Sequence, residues 1–377
     1  MMFEHPPLWL ILGAFLAALG PLVFIHEYGH YIVGRWFGIG AETFSIGFGR
    51  EIAGWTDKRG TRWKVGWLPL GGYVRFTGDM DPASMGRGLD RLPPEVRARS
   101  FHAKPVWQRA LVVLAGPAAN FLLAILIFAG FIAAFGAPRT PAVVSNVMAN
   151  TPAAAIGLRP GDRILAINGE KVRYFNQLSD YARLRPGEDV ILRFERTGQS
   201  LEARTRLMDV MEEDRFGNRF RIGRLGVAPG DVRFEQVGVF QLVPEAVKIT
   251  ASTVENTAVG LWQIISGRRP IEELGGPIKM AQVAGQVASI GPFEFVQLIA
   301  FFSINLGFIN LLPVPMLDGG HLALYAVEAV RRRPLGERAQ EWLFRGGLAA
   351  LMTLMLVATF NDLGSVGLWQ TLGRLLG

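Results

Sequence analysis

Four stretches of this 377-residue chain, 8–33, 110–135, 293–317 and 343–360, are apolar over lengths that suit a hydrocarbon core, which a helix crosses in roughly 20 residues. No other feature limits the possible folds as much. Half of the residues are hydrophobic and the mean hydropathy is +0.26, too apolar for the two or three water-soluble domains that length alone would suggest. The expected fold is a polytopic α-helical membrane protein with about four transmembrane helices. The first run is not expected to be a cleaved signal peptide. Its leader MMFEHPP has no Lys or Arg, and the run passes into charged residues, not a small-residue cleavage site.

A net charge of +7 would suit a nucleic-acid partner, but the basic residues lie where membrane topology wants them. Arg35, Arg50, Lys58, Arg59, Arg62, Lys64 and Arg75 follow the first span, and Arg331, Arg332, Arg333 and Arg338 lie between the last two. Positive-inside reasoning makes both loops cytoplasmic and puts the segment between the second and third spans outside, with both termini. No nucleic-acid partner is expected.

Between the first two spans, residues 44–76 alternate apolar and polar residues around glycines, the pattern of a β-hairpin. The stretch is also too apolar for a solvated loop. It is therefore expected to dip into the membrane, which irregular backbone can do only against protein or a wet cavity. A plain cytoplasmic hairpin is the alternative.

Beyond the second span, residues 137–207 have the composition of a soluble domain. NTPAAAIGLRPGDRILAINGEKV combines a helix start at Thr151 and Pro152, turns at Pro160-Gly161 and Asn168-Gly169, and the β run RILAI. This resembles a PDZ domain of the bacterial, circularly permuted type, an α+β fold that binds extended peptides by adding a strand. Residues 208–292 read as further strands and amphipathic helices on a membrane face or against the core.

The chemistry is concentrated at the end of the first span, where HEYGH spans residues 26–30. Residues four apart share a helix face, so His26 and His30 can reach one Zn²⁺ while Glu27 stands beside them as general base. The chain has no cysteine, so every transition-metal ligand must be His, Asp or Glu. Catalytic zinc usually takes three protein ligands. His5 and His102 lie outside the spans, and the strong remaining candidate is Asp318 in NLLPVPMLDGGH, with His321 a weak competitor.

Depth agrees. His26 is 18 residues beyond Leu8, about 27 Å along a helix, and Asp318 ends a span running the same way. Pro313 and Pro315 should break that span's helix, and Gly319-Gly320 let backbone approach a metal. Asn310 can donate to an oxyanion, whereas Asn305 is expected to pack between helices. In the second span Gly116, Pro117 and Asn120 fit either a kink with a satisfied core Asn or a role at the substrate.

Together, HEYGH, GPAANF, the PDZ insert and N-x-x-P-x-P-x-x-D-G-G resemble the site-2 protease family of intramembrane zinc metalloproteases. FSIGFG, LPLGGYV and FHAKPVWQRALVVLAGP resemble its bacterial sigma-E-regulating branch, with one visible PDZ domain where the best-known members carry two.

The resemblance implies one Zn²⁺ per chain held by His26, His30 and Asp318, with Glu27 as base and acid and Asn310 assisting. It implies that residues 44–76 clamp substrate as an added strand. Gly71, Gly72, Tyr73 and Asn120 are the candidate substrate contacts. It also implies a multi-pass protein of the bacterial inner membrane, with the PDZ domain outside and the active site toward the cytoplasm. The substrates implied are single-span membrane proteins trimmed first by another protease, such as anti-sigma factors or signal-peptide remnants. A peptide-binding scaffold with a vestigial site would lack Glu27 or a ligand, and a metal transporter would carry polar groups at mid-membrane. Neither pattern is present.

Overall fold

The computed structural model describes residues 6–78, 93–183, 185–213, 219–266, 275–333 and 336–365; His5 lies outside them. The chain begins with α1 (Leu8–Trp36), strands β1 (Ala41–Thr56) and β2 (Arg62–Phe76), the short α2 (Pro94–Ala98) and the long α3 (Val106–Phe135). Next come β3 (Ala137–Arg139), β4 (Val144–Val147), α4 (Pro152–Ala155), β5 (Arg163–Ile167), β6 (Glu170–Lys171) and α5 (Phe175–Arg183). Strands β7 (Asp189–Arg196), β8 (Gln199–Arg206), β9 (Met208–Glu213), β10 (Arg219–Arg224), β11 (Val227–Pro229) and β12 (Arg233–Glu235) follow. The last helices are α6 (Val239–Ile265), α7 (Pro277–Ile290), α8 (Pro292–Leu311), α9 (Asp318–Arg331) and α10 (Glu337–Ser365).

Among the described residues, four helices are long and apolar enough to cross a membrane: α1, α3, α8 and residues Arg338–Leu363 of α10. The third run is shorter as a helix than its apolar stretch, 293–317, suggested. Pro313 disfavours helical backbone at the residue before it, and Leu312 is extended, so α8 stops at Leu311.

The chain divides into two compact units. One comprises residues 1–128, 246–259 and 272–377. In it α1 ends where Gly38 turns left-handed, its N–H and that of Ile39 bonding the carbonyls of Arg35 and Gly34. The chain then enters the β1–β2 hairpin. Residues 43–46 of β1 are partnered on one side by 72–75 and on the other by 62–65, so β2 folds back around β1.

The hairpin base is welded to α1 by stacked rings. Phe44 lies 4.3 Å from Trp63 between centroids, and Tyr31 of α1 packs edge-on to both. Farther out, Ile52, Trp55 and Trp67 are exposed. Helix α8 is tied to α3 by Ser303, whose hydroxyl donates to the carbonyl of Asn120 at 2.8 Å. Asn305 packs between helices as expected, accepting from Thr257 of α6 at 3.0 Å.

The other unit comprises residues 129–245 and 260–271. Its antiparallel sheet runs β6-β5-β7-β8, with the pairs β4–β11, β9–β10 and β3–β12 alongside. The core is aliphatic: Leu158, Ile164, Ile167, Leu178, Leu192 and Leu207 are buried. Thr151 caps α4 through the N–H of Ala154, where the sequence placed a helix start. The expected boundary at 207 is corrected. Leu225 belongs to this core and β11 pairs with β4, so the fold needs chain well past Leu207.

Candidate metal centre

On α1, His26 and His30 are one turn apart and their Nε2 atoms lie 3.3 Å from each other. The first residue of α9 closes the set. Asp318 Oδ2 stands 3.2 Å from His26 Nε2 and 3.4 Å from His30 Nε2. His26 is buried, the His30 side chain is 12% exposed, and Asp318 Oδ2 is buried with nothing but these two rings beside it as a possible donor. Three electron-rich atoms facing one another in a dry place repel unless a cation or proton lies among them.

The donors fit zinc. Bonds of about 2.0–2.1 Å in a tetrahedron hold neighbouring ligand atoms about 3.3 Å apart, which matches the separations seen here. Two imidazole nitrogens and a carboxylate oxygen are also ordinary zinc donors, and three of them leave a fourth position open.

Helix α3 orients both rings. His30 Nδ1 lies 2.9 Å from the carbonyl oxygen of Val112, and His26 Nδ1 lies 3.1 Å from the amide of Asn120. This needs a close helix crossing, which small residues allow. A Cβ on Gly116 would collide with the His30 ring, and one on Gly29 would strike the Ala115 carbonyl.

Asp318 is positioned by the turn after α8. Met316 adopts φ of 80° and the chain restarts as a helix at Asp318, where a carboxylate also suits the positive end of the helix. Gly319 and Gly320 have no room for a Cβ because the carbonyls of Leu311, Leu312 and Val314 press on them. Farther along α9, Glu328 pairs with Arg109 of α3 at 2.7 Å, and the same guanidinium lies over the Tyr325 ring.

The cluster opens on a cavity of about 330 Å³. Glu27 lines it beside His26, His30 and Asp318 and accepts the backbone N–H of Val74. Gly72, Tyr73, Val74 and Asn310 line it as well. The Asn310 amide nitrogen donates to Leu306 in its own helix at 3.0 Å.

Two expected substrate contacts fall elsewhere. Gly71 is off the cavity lining, packed under Phe48, because its left-handed φ of 101° turns the chain just before the wall begins. Asn120 is completely buried and also off the lining, since its position on α3 turns it to the Nδ1 side of the His26 ring.

His102, His321 and Tyr325 line the cavity as well. His102 lies outside every span, so an argument from depth passed over it. Only its 3-10 turn, Phe101–Ala103, brings it back to the site.

The chain is similar to relatives of known name over nearly their whole length. The chain is 44% identical over 358 residues to "Putative zinc metalloprotease Atu1380" of Agrobacterium fabrum, covering 93% of this chain and 95% of that one. It is 39% identical over 392 residues to "Metalloprotease MmpA" of Caulobacter vibrioides, covering 97% and 98%. Among solved structures, the PDZ domain of the SdrC-like protein from Listeria monocytogenes aligns with 23% of this chain and 84% of its own, at 23% identity and a TM-score of 0.19. The model of Peptidase family M50 matches residues 14–354, from before the paired histidines to well past Asp318, and the chain belongs to that family.

Proposed function

We propose that this chain is an intramembrane zinc metalloprotease that hydrolyses a peptide bond within or near the transmembrane segment of single-span membrane proteins. The observation that carries the reading is the convergence of His26, His30 and Asp318 at zinc-ligand spacing, with Glu27 beside them on an open cavity.

Zinc held there supplies Lewis acidity, polarising a carbonyl and making water a stronger acid. Glu27 accepts the proton of the attacking water and passes it to the leaving amine, a transfer typically worth 10² to 10⁴ in rate. The Val74 N–H holds the Glu27 carboxylate toward the cavity. Asn310, which also lines the cavity, can contact the substrate carbonyl through the amide hydrogen its helix does not use.

A helical substrate hides its carbonyls in its own hydrogen bonds, so the segment to be cut must unwind first. Residues 72–74 are partnered by β1 on one side and line the cavity with the other. A strand laid along them replaces the bonds lost in unwinding. Gly72 and Tyr73 are the residues we assign to this contact.

The basic residues after α1 and around 331–338 support a cytoplasmic site. By the same rule the PDZ-like segment lies outside, in a protein of the bacterial inner membrane. There it acts on substrates already trimmed by another protease, as a peptide binder or a size filter. Deleting the segment and assaying an untrimmed substrate separates these, since only loss of a filter lets the untrimmed protein be cut.

The test of the reaction is cleavage of a single-span substrate by purified protein in detergent, with bound zinc measured. Wild type should cut, and Glu27→Gln should bind about one zinc and not cut. Equal cleavage by both proteins would remove Glu27 as the base.

A further inference from the structure

We propose that Asn120 is a positioning residue that sets the ring tautomer of His26, and that its amide turns over when metal binds. The inference rests on the reading of His26, His30 and Asp318 as zinc ligands.

The two histidines are held differently. His30 Nδ1 faces the Val112 carbonyl, which can only accept, so its proton is fixed at Nδ1 and Nε2 is free for metal. His26 Nδ1 faces the Asn120 amide instead, and Asn120 is the single partner of that nitrogen among the described residues. An amide carries a donor and an acceptor on one flat group, and half a turn about Cβ–Cγ exchanges them.

In the arrangement seen, Asn120 Nδ2 lies 3.1 Å from His26 Nδ1 and Oδ1 is buried without a partner. With the amide turned this way Nδ1 would accept, which puts the ring proton on Nε2, 3.2 Å from Asp318 Oδ2. That arrangement gives both ring nitrogens of His26 a partner without metal, at the cost of the unpartnered Oδ1, and it blocks coordination. For Nε2 to bind a cation the proton must move to Nδ1, which then needs an acceptor in a fully buried position. Turning the amide supplies Oδ1 at the same place. The backbone of Asn120 is held meanwhile by Ser303 of α8.

A core asparagine that merely fills space would not distinguish the two tautomers, and this gives the test. The full-length protein is purified in detergent, stripped of metal and titrated with zinc against a chromophoric chelator, for wild type, Asn120→Asp and Asn120→Leu. Melting temperatures of the metal-free proteins report folding. Asn120→Leu should weaken zinc binding about 10- to 100-fold. Asn120→Asp, which still accepts from Nδ1–H, should stay within about threefold of wild type.

Solid-state ¹⁵N spectra of histidine-labelled, metal-free protein give a second reading that does not need the leucine variant. His26 should carry its proton on Nε2 in wild type and on Nδ1 in Asn120→Asp. Wild-type affinity in Asn120→Leu, or the same His26 tautomer in wild type and Asn120→Asp, overturns the proposal. A wild-type protein that takes up no zinc overturns the metal reading itself and this inference with it.

Discussion

The Nδ1 atom of His30 lies 2.9 Å from the carbonyl oxygen of Val112, and this one bond decides which ring nitrogen is left for a metal. The bond forms because α1 and α3 cross where neither Gly29 nor Gly116 has a side chain to hold them apart.

Gly116→Ala should therefore push the His30 ring off its carbonyl and weaken zinc binding by on the order of tenfold or more. The helices cannot part to make room without losing contact at Gly29 and Ala115. Chelator competition on the purified variant measures the effect, and wild-type affinity would show that α3 does not orient the ring.

Arg109 and Glu328 form the tie behind the site, with side chains only 12% and 20% exposed. Arg109→Met strands a poorly solvated carboxylate and should cost about 1–3 kcal/mol in thermal or denaturant unfolding. Glu328→Gln keeps an acceptor for the guanidinium and should cost less. Because α9 begins at Asp318, Arg109→Met should also weaken zinc binding. A loss of stability at constant zinc affinity would separate the tie from the site.

Removing metal should abolish cleavage, and zinc should restore it. Bound zinc should also stabilise the fold, by about 2.7 kcal/mol when free zinc is 100 times its dissociation constant. The rise in melting temperature with zinc should vanish in His26→Ala. A melting temperature indifferent to zinc in wild type would contradict the ligand assignment.

A side chain at Gly72 would meet the Ser45 carbonyl, Val23 and Glu27. Gly72→Val should displace the cavity wall relative to the base and slow cleavage by on the order of 10²-fold with bound zinc unchanged. Turnover near that of wild type would argue against this edge as the substrate track.

In the other unit, the Arg196 guanidinium bonds Asp162 and holds its carboxyl below the usual range; burial opposes the shift, and the Arg159 N–H adds to it. A carboxyl lowered on folding stabilises above its unfolded value, near 4, and this contribution fades as pH falls through the folded value. Hydrogen exchange of peptides from β5 and β7 in the full-length protein should show protection steady from pH 7 to 5 and falling below about 4. Asp162→Asn should raise exchange at pH 7 by on the order of tenfold. Protection independent of pH in this range would count against the pair.

Much of this protein was legible without coordinates, for local reasons. The apolar runs specify helices by length and composition alone. His26 and His30 share a face because of helical period, and Asp318 was reachable because so few ligand types remain in a chain without cysteine. The helix start at Thr151 was equally local.

What only the tertiary structure decided depends on segments that meet across long stretches of chain. The pairing of β4 with β11 joins residues about 80 apart and extends the second unit past Leu207. His102 reaches the cavity from outside the spans. Asn120 reads in sequence as either a core residue or a substrate contact, and it is the crossing of α1 and α3 that turns it toward His26. A motif can name candidate metal donors, because period and residue type suffice for that. What backs each ring depends on whatever the fold packs behind it, and here that is the backbone of Val112 for His30 and the amide of Asn120 for His26.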